Sequence, residues 1–246
     1  MKINRKTVLV TGASRGIGRS IAMLFAIKGY HVYINCNKSI NQLKALEYEI
    51  KEKTKGSCTM VVGNVGNPRE VERIFNVIEK ESGCLDVLIN NAGIAYIGLL
   101  TDMSNKEWNR ILQVNLSSVF YCSRAAVPGM VSKKEGRIVN ISSMWGTVGA
   151  SMEAAYSATK SGVNGLTKAL AKELAPSNIQ VNAIACGAVD TEMNSQLGGQ
   201  ERRNFEEEIP MGRFATADEI ASLVYGIVNS PNYMTGQIIG VDGGYI

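Results

Sequence analysis

Short apolar runs rich in β-branched residues recur along this chain, separated by longer stretches whose apolar positions return every three or four residues. The runs at 7–10 (TVLV), 31–36 (HVYINC), 58–62 (CTMVV), 85–90 (LDVLIN), 137–142 (RIVNIS), 179–185 (IQVNAIA) and 238–241 (IIGV) read as strands. Several are apolar at consecutive rather than alternate positions, as expected of strands covered on both faces. Helix starts are marked chemically. Asn67 followed by Pro68 reads as an N-cap and a first helical residue. Ser104 with Glu107, and Thr216 with Glu219, have the spacing of capping boxes. Strand and helix alternate from end to end, which predicts an α/β fold: a doubly wound, Rossmann-type parallel sheet of about seven strands with helices on both faces. No linker-like, low-complexity or repeated segment interrupts the pattern, so residues 1–246 are expected to form a single domain. The stretch 186–212 breaks the rhythm with Gly198-Gly199, the acids Glu206 to Glu208 and Pro210. An insertion at that place, after a strand, is expected to be a substrate loop, with the acids on a solvated helix face.

Composition narrows the classes. The chain is 45% hydrophobic and 20% charged, which suits a globular core. Its net charge is +4, but basic residues are interleaved with acids, as in KEKTK at 51–55, and read as a wet helix face rather than a nucleic-acid surface. Five cysteines (Cys36, Cys58, Cys84, Cys122, Cys186) lie far apart with no C-x-x-C pair, which suits reduced thiols in the cytoplasm and provides no metal site. The apolar run near the amino terminus is short and broken by Thr11, Ser14 and Arg15, unlike a signal peptide. The longest membrane candidate, 21–27, falls well short of the roughly 20 residues that span a bilayer. The single histidine, His31, stands at a strand start, and no G-x-S-x-G elbow is present, so a Ser-His-Asp hydrolase is excluded.

The segment TVLVTGASRGIGRSIAMLFA places Gly12, Gly16 and Gly18 between the first strand and a helix. Glycines there permit a tight turn, close approach of backbone to a pyrophosphate, and intimate helix–strand packing, while the helix start supplies amide donors. Dinucleotide binding is therefore expected. A preference for NAD normally places an acid at the end of the second strand, to accept from the ribose 2′-hydroxyl. Cys36 stands there instead, and Arg15, Asn37, Lys38 and Ser39 could donate to a 2′-phosphate. NADP is the expected cofactor, ahead of NAD.

With TGASRGIG at 11–18, NNAG at 90–93, Ser143, and YSATK at 156–160 in this order and spacing, the chain resembles the short-chain dehydrogenase/reductase superfamily over nearly its whole length. Its length, SRGIG, NNAGI and the ending TGQIIGVDGGYI are most similar to the bacterial 3-oxoacyl-[acyl-carrier-protein] reductases. The resemblance implies a catalytic set of Asn115, Ser143, Tyr156 and Lys160, with Asn115 maintaining a water-linked proton path to the lysine. It implies cofactor contacts from Gly12, Ser14, Arg15, Gly16, Ile17 and Gly18 in the glycine loop. Further contacts come from Asn37, Lys38, Asn64 and Val65, from Asn90, Ala92 and Gly93, and from Tyr156, Lys160, Gly187, Val189 and Thr191. It implies NADPH-dependent reduction of a 3-oxoacyl thioester, small or carried by an acidic acyl carrier protein, in a homotetramer. A dehydrogenase of a polyol, sugar or hydroxysteroid would use the same set, and a nucleotide sensor without turnover would not need it. The chain departs from the family pattern in Cys186-Gly187 for Pro-Gly, in Asn64 for Asp, and in Pro176-Ser177-Asn178, which lacks the usual basic residue; Lys133, Lys134 and Arg137 remain as candidates to meet an acidic carrier.

Tyr156 and Lys160 are four residues apart, on one face of a helix. A phenol with an ordinary pKa of about 10 relays protons poorly at neutral pH. The expectation is that the Lys160 ammonium favours the phenolate and lowers that pKa, while Ser143 donates to the oxygen on which charge develops.

Overall fold

The computed structural model of the chain describes residues 3, 5–195 and 197–246. Met1, Lys2 and Asn4 of the amino-terminal run and Gln196 of the 186–212 stretch lie outside the described residues. In chain order the elements begin with β1 (Thr7–Val10), α1 (Gly16–Ile27), β2 (His31–Ile34), α2 (Ile40–Lys53) and β3 (Ser57–Met60). They continue with α3 (Pro68–Ser82), β4 (Val87–Asn90), α4 (Asn105–Leu112), α5 (Ser118–Lys133) and β5 (Gly136–Ser143). A short α6 (Trp145–Val148) precedes α7 (Ala154–Leu174) and β6 (Ile179–Cys186). The chain closes with α8 (Gly199–Glu208), α9 (Ala217–Val228) and β7 (Ile238–Val241).

All seven strands pair in parallel in the order β3-β2-β1-β4-β5-β6-β7. The order reverses between β1 and β4, and the crevice beyond the carboxyl ends of those two strands is where a doubly wound sheet takes its ligand. One core layer packs Ile21, Phe25, Leu43, Leu46, Ile220 and Val224 of α1, α2 and α9 on the sheet; Val71, Ile74, Cys122, Met130, Ala171 and Leu174 of α3, α5 and α7 fill the other. Burial on both faces is why β1, β2 and β4 read as unbroken apolar runs.

The caps expected from sequence are made. Asn67 Oδ1 accepts from Arg69 N at 3.1 Å ahead of Pro68, and Ser104–Glu107 and Thr216–Glu219 form reciprocal boxes. The stretch 186–212 contains a 3₁₀ turn (Glu192–Asn194) and α8. On α8, Glu206 pairs with Arg202 at 3.0 Å and Glu208 accepts from the Tyr245 hydroxyl, so the acid run is engaged rather than simply solvated. His31 is buried at the start of β2, with Nδ1 2.8 Å from Ser57 Oγ and Nε2 3.2 Å from Thr59 Oγ1. Among the described residues no helix is long and apolar enough to cross a membrane.

Candidate active site and nucleotide crevice

Gly12 and Gly16 adopt left-handed backbone, with φ of +66° and +53°. A side chain on Gly12 would lie 3.0 Å from Ala92 Cα, and one on Gly18 would lie 2.4 Å from Gly12 O, so the loop and the first turn of α1 are pressed together as only glycine permits. The amino end of α1 has no side-chain cap and no acid in its first turn, whereas α3, α4 and α9 are capped. Its amides are therefore free to bind an anion, and the loop fits a pyrophosphate.

Three polar residues that the motif reading passed over hold this loop. Thr11 Oγ1 accepts from Asn91 N and Ala92 N at 2.9 and 3.0 Å. Asn91 Nδ2 donates to Thr11 O at 2.8 Å and Gly12 O at 3.2 Å. Asn35 Nδ2 donates to Val61 O and Gly63 O at 2.8 and 3.0 Å, and the Asn35 backbone carbonyl accepts from Ala13 N at 2.7 Å. Buried amides gain most when every donor and acceptor is matched, and these tie the ends of β1, β2, β3 and β4 into one frame. Asn91 had a signal in NNAG; Asn35 had none, because its partners lie more than twenty residues away.

Each expected cofactor residue has a definite place. Ser14 and Val65 are buried beside the loop, and Ile17 packs on the core. Cys36 is buried at the end of β2, its thiol pushed up by burial, so no charge stands there. Asn37 and Lys38 are exposed just beyond it, and Lys38 and Ser39 border an open pocket of about 410 Å³. Arg15 reaches across the crevice to Glu192 at 3.2 Å. Gly16 faces Thr191, whose methyl would be 3.3 Å from an added Cβ. Gly187 lies under Asp242, and Val189 is buried and bridges to Ala215.

Two of the expected cofactor asparagines also make structural bonds. Asn64 Oδ1 accepts from Gly66 N at 2.9 Å. Asn90 Nδ2 donates into the core, to Asn140 Oδ1 at 2.9 Å and Ser123 Oγ at 3.4 Å, so its side chain braces β4 against β5.

At the carboxyl ends of β5 and β6 the catalytic candidates converge. Ser143 is the last residue of β5, in register with Cys186 of β6. Tyr156 and Lys160 stand on successive turns of α7, which is pressed on α6 through Gly146: an added Cβ there would be 2.8 Å from Lys160 Cβ. Asn115 sits in a single π-helical turn, Gln113–Ser117, between α4 and α5. Such a turn re-aims one side chain. Asn115 Oδ1 accepts from Ile94 N and Nδ2 donates to Ile94 O, both at 2.9 Å. Gly93 lies between Asn115 Oδ1 and Lys160 Nζ, at 3.6 and 3.7 Å from the Cβ it lacks.

The electrostatics correct the sequence-based expectation. Lys160 is buried, its Nζ donates to Ile141 O at 2.8 Å, and it lies over the Tyr156 ring 5.5 Å from the centroid. Burial lowers its pKa to about 8, with the Cys186 thiol acting slightly the other way. Burial raises the Tyr156 pKa well above its usual value, Cys186 and Glu153 add to the rise, and the interaction with Ser143 pulls it down. Desolvation of the phenolate outweighs the favourable effect of the ammonium, whose Nζ is turned onto the Ile141 carbonyl. The resting group is a neutral phenol beside a cation that burial makes easy to discharge. Cys186, where the family carries proline, is a neutral buried thiol raised to about 12.

Lys133, Lys134 and Arg137 lie at the opposite end of the sheet, at the start of β5, and do not border this crevice. Lys133 is paired with Asp86, and Arg137 donates to Val228 O at 3.0 Å and Asn232 Oδ1 at 2.6 Å, closing the end of α9.

A family model described as short chain dehydrogenase matches residues 6–202. The chain is 42% identical over 240 residues to the 3-oxoacyl-[acyl-carrier-protein] reductase FabG of Staphylococcus aureus (strain Mu50), with 97% of each chain covered. It is 39% identical to the protein of the same name from Vibrio cholerae, covering 99% of this chain and 98% of that one. A crystal structure of a short-chain type dehydrogenase/reductase from Mycobacterium marinum superposes with a TM-score of 0.92 at 32% identity, covering 99% of this chain and 96% of that one.

Proposed function

Because this chain belongs to the short-chain dehydrogenase/reductase family of NAD(P)-dependent enzymes, we propose that it reduces the ketone of a 3-oxoacyl thioester with NADPH. The observation that carries the reading is the convergence of Ser143, Tyr156 and Lys160 at the strand ends beside an uncapped, glycine-lined helix start. The activity in the names of the Staphylococcus aureus and Vibrio cholerae relatives supports the substrate class.

Gly12, Gly16, Gly18 and the first amides of α1 would hold the pyrophosphate, Arg15, Asn37 and Lys38 the 2′-phosphate, and Gly187, Val189 and Thr191 the nicotinamide end. When bound, the nicotinamide supplies the hydride for the carbonyl carbon. Ser143 donates to the carbonyl oxygen and holds it, a contact that strengthens as negative charge accumulates there. Tyr156 Oη, protonated because it is buried, gives its proton to that oxygen; the C–O double bond becomes the alcohol C–O bond. The Lys160 cation then lies beside the new phenolate and offsets its burial. Asn115 holds the β4 loop through Ile94 and so keeps Gly93 open beside Lys160.

The enzyme is expected to work in the cytoplasm, on a free thioester or one carried by an acidic acyl carrier protein. A homotetramer suits exposed Phe120 and Val131 on α5 and the unpaired edge of β7, surfaces a second copy would cover. The deciding assay follows NADPH absorbance with acetoacetyl thioesters in one series and polyols and hydroxysteroids in another. Turnover confined to the thioesters supports the reading, and turnover confined to the other alcohols overturns it.

A further inference from the structure

Beyond β7 the chain ends in Asp242-Gly243-Gly244-Tyr245-Ile246, and the two glycines have φ of +70° and +87°. A side chain on Gly243 would come within 2.7 Å of Ile209 Cγ2, while Asp242 Oδ1 accepts from Gly244 N at 2.9 Å. Met211 N donates to Gly243 O at 3.1 Å. The result is a sharp turn that folds the last two residues back over the 186–212 stretch. Tyr245 lands between two other aromatics. Its ring meets Trp145 edge-on at 5.7 Å and Phe205 edge-on at 5.5 Å, and its hydroxyl donates to Glu208 at 3.1 Å. Phe205 and Glu208 belong to α8, and Phe205 continues to Phe214 at 5.5 Å. Trp145 is two residues past Ser143 and donates its backbone N–H to Ser143 Oγ at 3.2 Å. A continuous aromatic path thus runs from the serine turn through the carboxyl-terminal tyrosine to α8.

We infer that Tyr245 is a positioning residue for substrate: it fastens α8 to the serine turn, so that Trp145, Tyr245 and Phe205 form a fixed apolar wall for the part of the substrate beyond its carbonyl. The substrate class rests on the reading proposed above; the fastening does not. Other contacts of α8, Arg202 to Asp190 at 2.8 Å, the Arg202 guanidinium over Phe214 at 4.6 Å and Phe205 against Phe214 at 5.5 Å, reach the segments on either side of the helix and not the serine turn. Edge-to-face aromatic pairs gain from geometry as well as area, so loss of two at once frees the helix without emptying the main core.

The test compares Tyr245→Phe, which keeps the ring and loses the Glu208 bond, with Tyr245→Ala, which loses both, in a Trp108→Phe background where Trp145 is the sole indole. Six quantities are read: Trp145 emission, amide exchange in α8, melting temperature, NADPH affinity, and KM and kcat for a series of 3-oxoacyl thioesters of increasing chain length. For Tyr245→Ala the expected results are shifted emission, faster exchange in α8, and KM raised about tenfold with flattened chain-length preference, while kcat and NADPH affinity hold. Tyr245→Phe should lie near the parent protein. Unchanged emission and exchange would overturn the inference, as would a raised KM accompanied by falls in kcat, NADPH affinity and melting temperature together. If the parent enzyme turns over no 3-oxoacyl thioester, the proposed substrate class fails, and emission and exchange still decide whether Tyr245 fastens α8.

Discussion

A lysine whose pKa is lowered to about 8 should impose its own titration on the reaction. The perturbation is pH alone. Lys160 must carry charge to offset the phenolate that forms as Tyr156 gives up its proton. With a pKa near 8, roughly nine-tenths of Lys160 is charged at pH 7 and only about 3% at pH 9.5, so kcat/KM for carbonyl reduction should decline about 30-fold between them. A lysine with an ordinary pKa would lose only about a tenth of its charge over the same range. Tyr156 does not confuse the reading, because burial holds its pKa far above this window. The assay is initial-rate NADPH oxidation at constant ionic strength, with NADPH affinity measured at each pH to separate chemistry from binding. Lys160→Met should be slow and flat across the range. A wild-type profile level to pH 9.5, with NADPH binding intact, would refute the argument that burial discharges Lys160.

Two further perturbations probe the cofactor end and the fold. Asn37→Asp places a carboxylate at an exposed site beside Lys38, and should weaken NADPH about tenfold or more by like-charge repulsion while leaving NADH affinity nearly unchanged; equal Kd values for NADPH in variant and parent would remove 34–39 from cofactor selection. The neighbouring Cys36 is a poorer probe, since it is 2% exposed and an acid there would enter the core. His31 has its pKa lowered, chiefly by burial and against the pull of Glu81. The unfolded chain therefore binds more protons below pH 6.5, and stability should fall by up to about 1.4 kcal/mol per pH unit down to the folded pKa. Urea midpoints at pH 7.5 and 5 should differ less in His31→Gln than in the parent, and an equal difference would remove His31 as the source.

Much of this molecule can be read locally. The short β-branched runs became β1 to β7, and the Asn67, Ser104 and Thr216 caps formed where their spacing placed them. Boundaries moved where long-range bonds took over. The regular strand of the run 31–36 ends at Ile34, where the Asn35 backbone carbonyl accepts from the glycine loop and its side chain donates to Val61 O, although Asn35 N still donates to Val10 O. Glycine-loop chemistry was legible because each glycine answers a steric demand within its own turn. The fixing of that loop by Thr11, Asn35 and Asn91 was not, since each bond joins residues distant in sequence. The same limit hid the inward turn of Asn90, the π-helical turn at Asn115, and the return of Tyr245 to Trp145. Helical spacing correctly put Tyr156 and Lys160 on one face, but spacing carries no information about burial, and burial reverses the expected shift of the phenol.

The role of the Tyr156 hydroxyl is tested most directly by single-turnover reduction with Tyr156→Phe, preloaded with NADPH and mixed with an acetoacetyl thioester. Removing one hydroxyl should leave NADPH affinity within about twofold and slow the chemical step by a factor on the order of 10³ or more. A variant that binds NADPH as the parent does and reduces the thioester at the parent's rate would show that the proton comes from elsewhere.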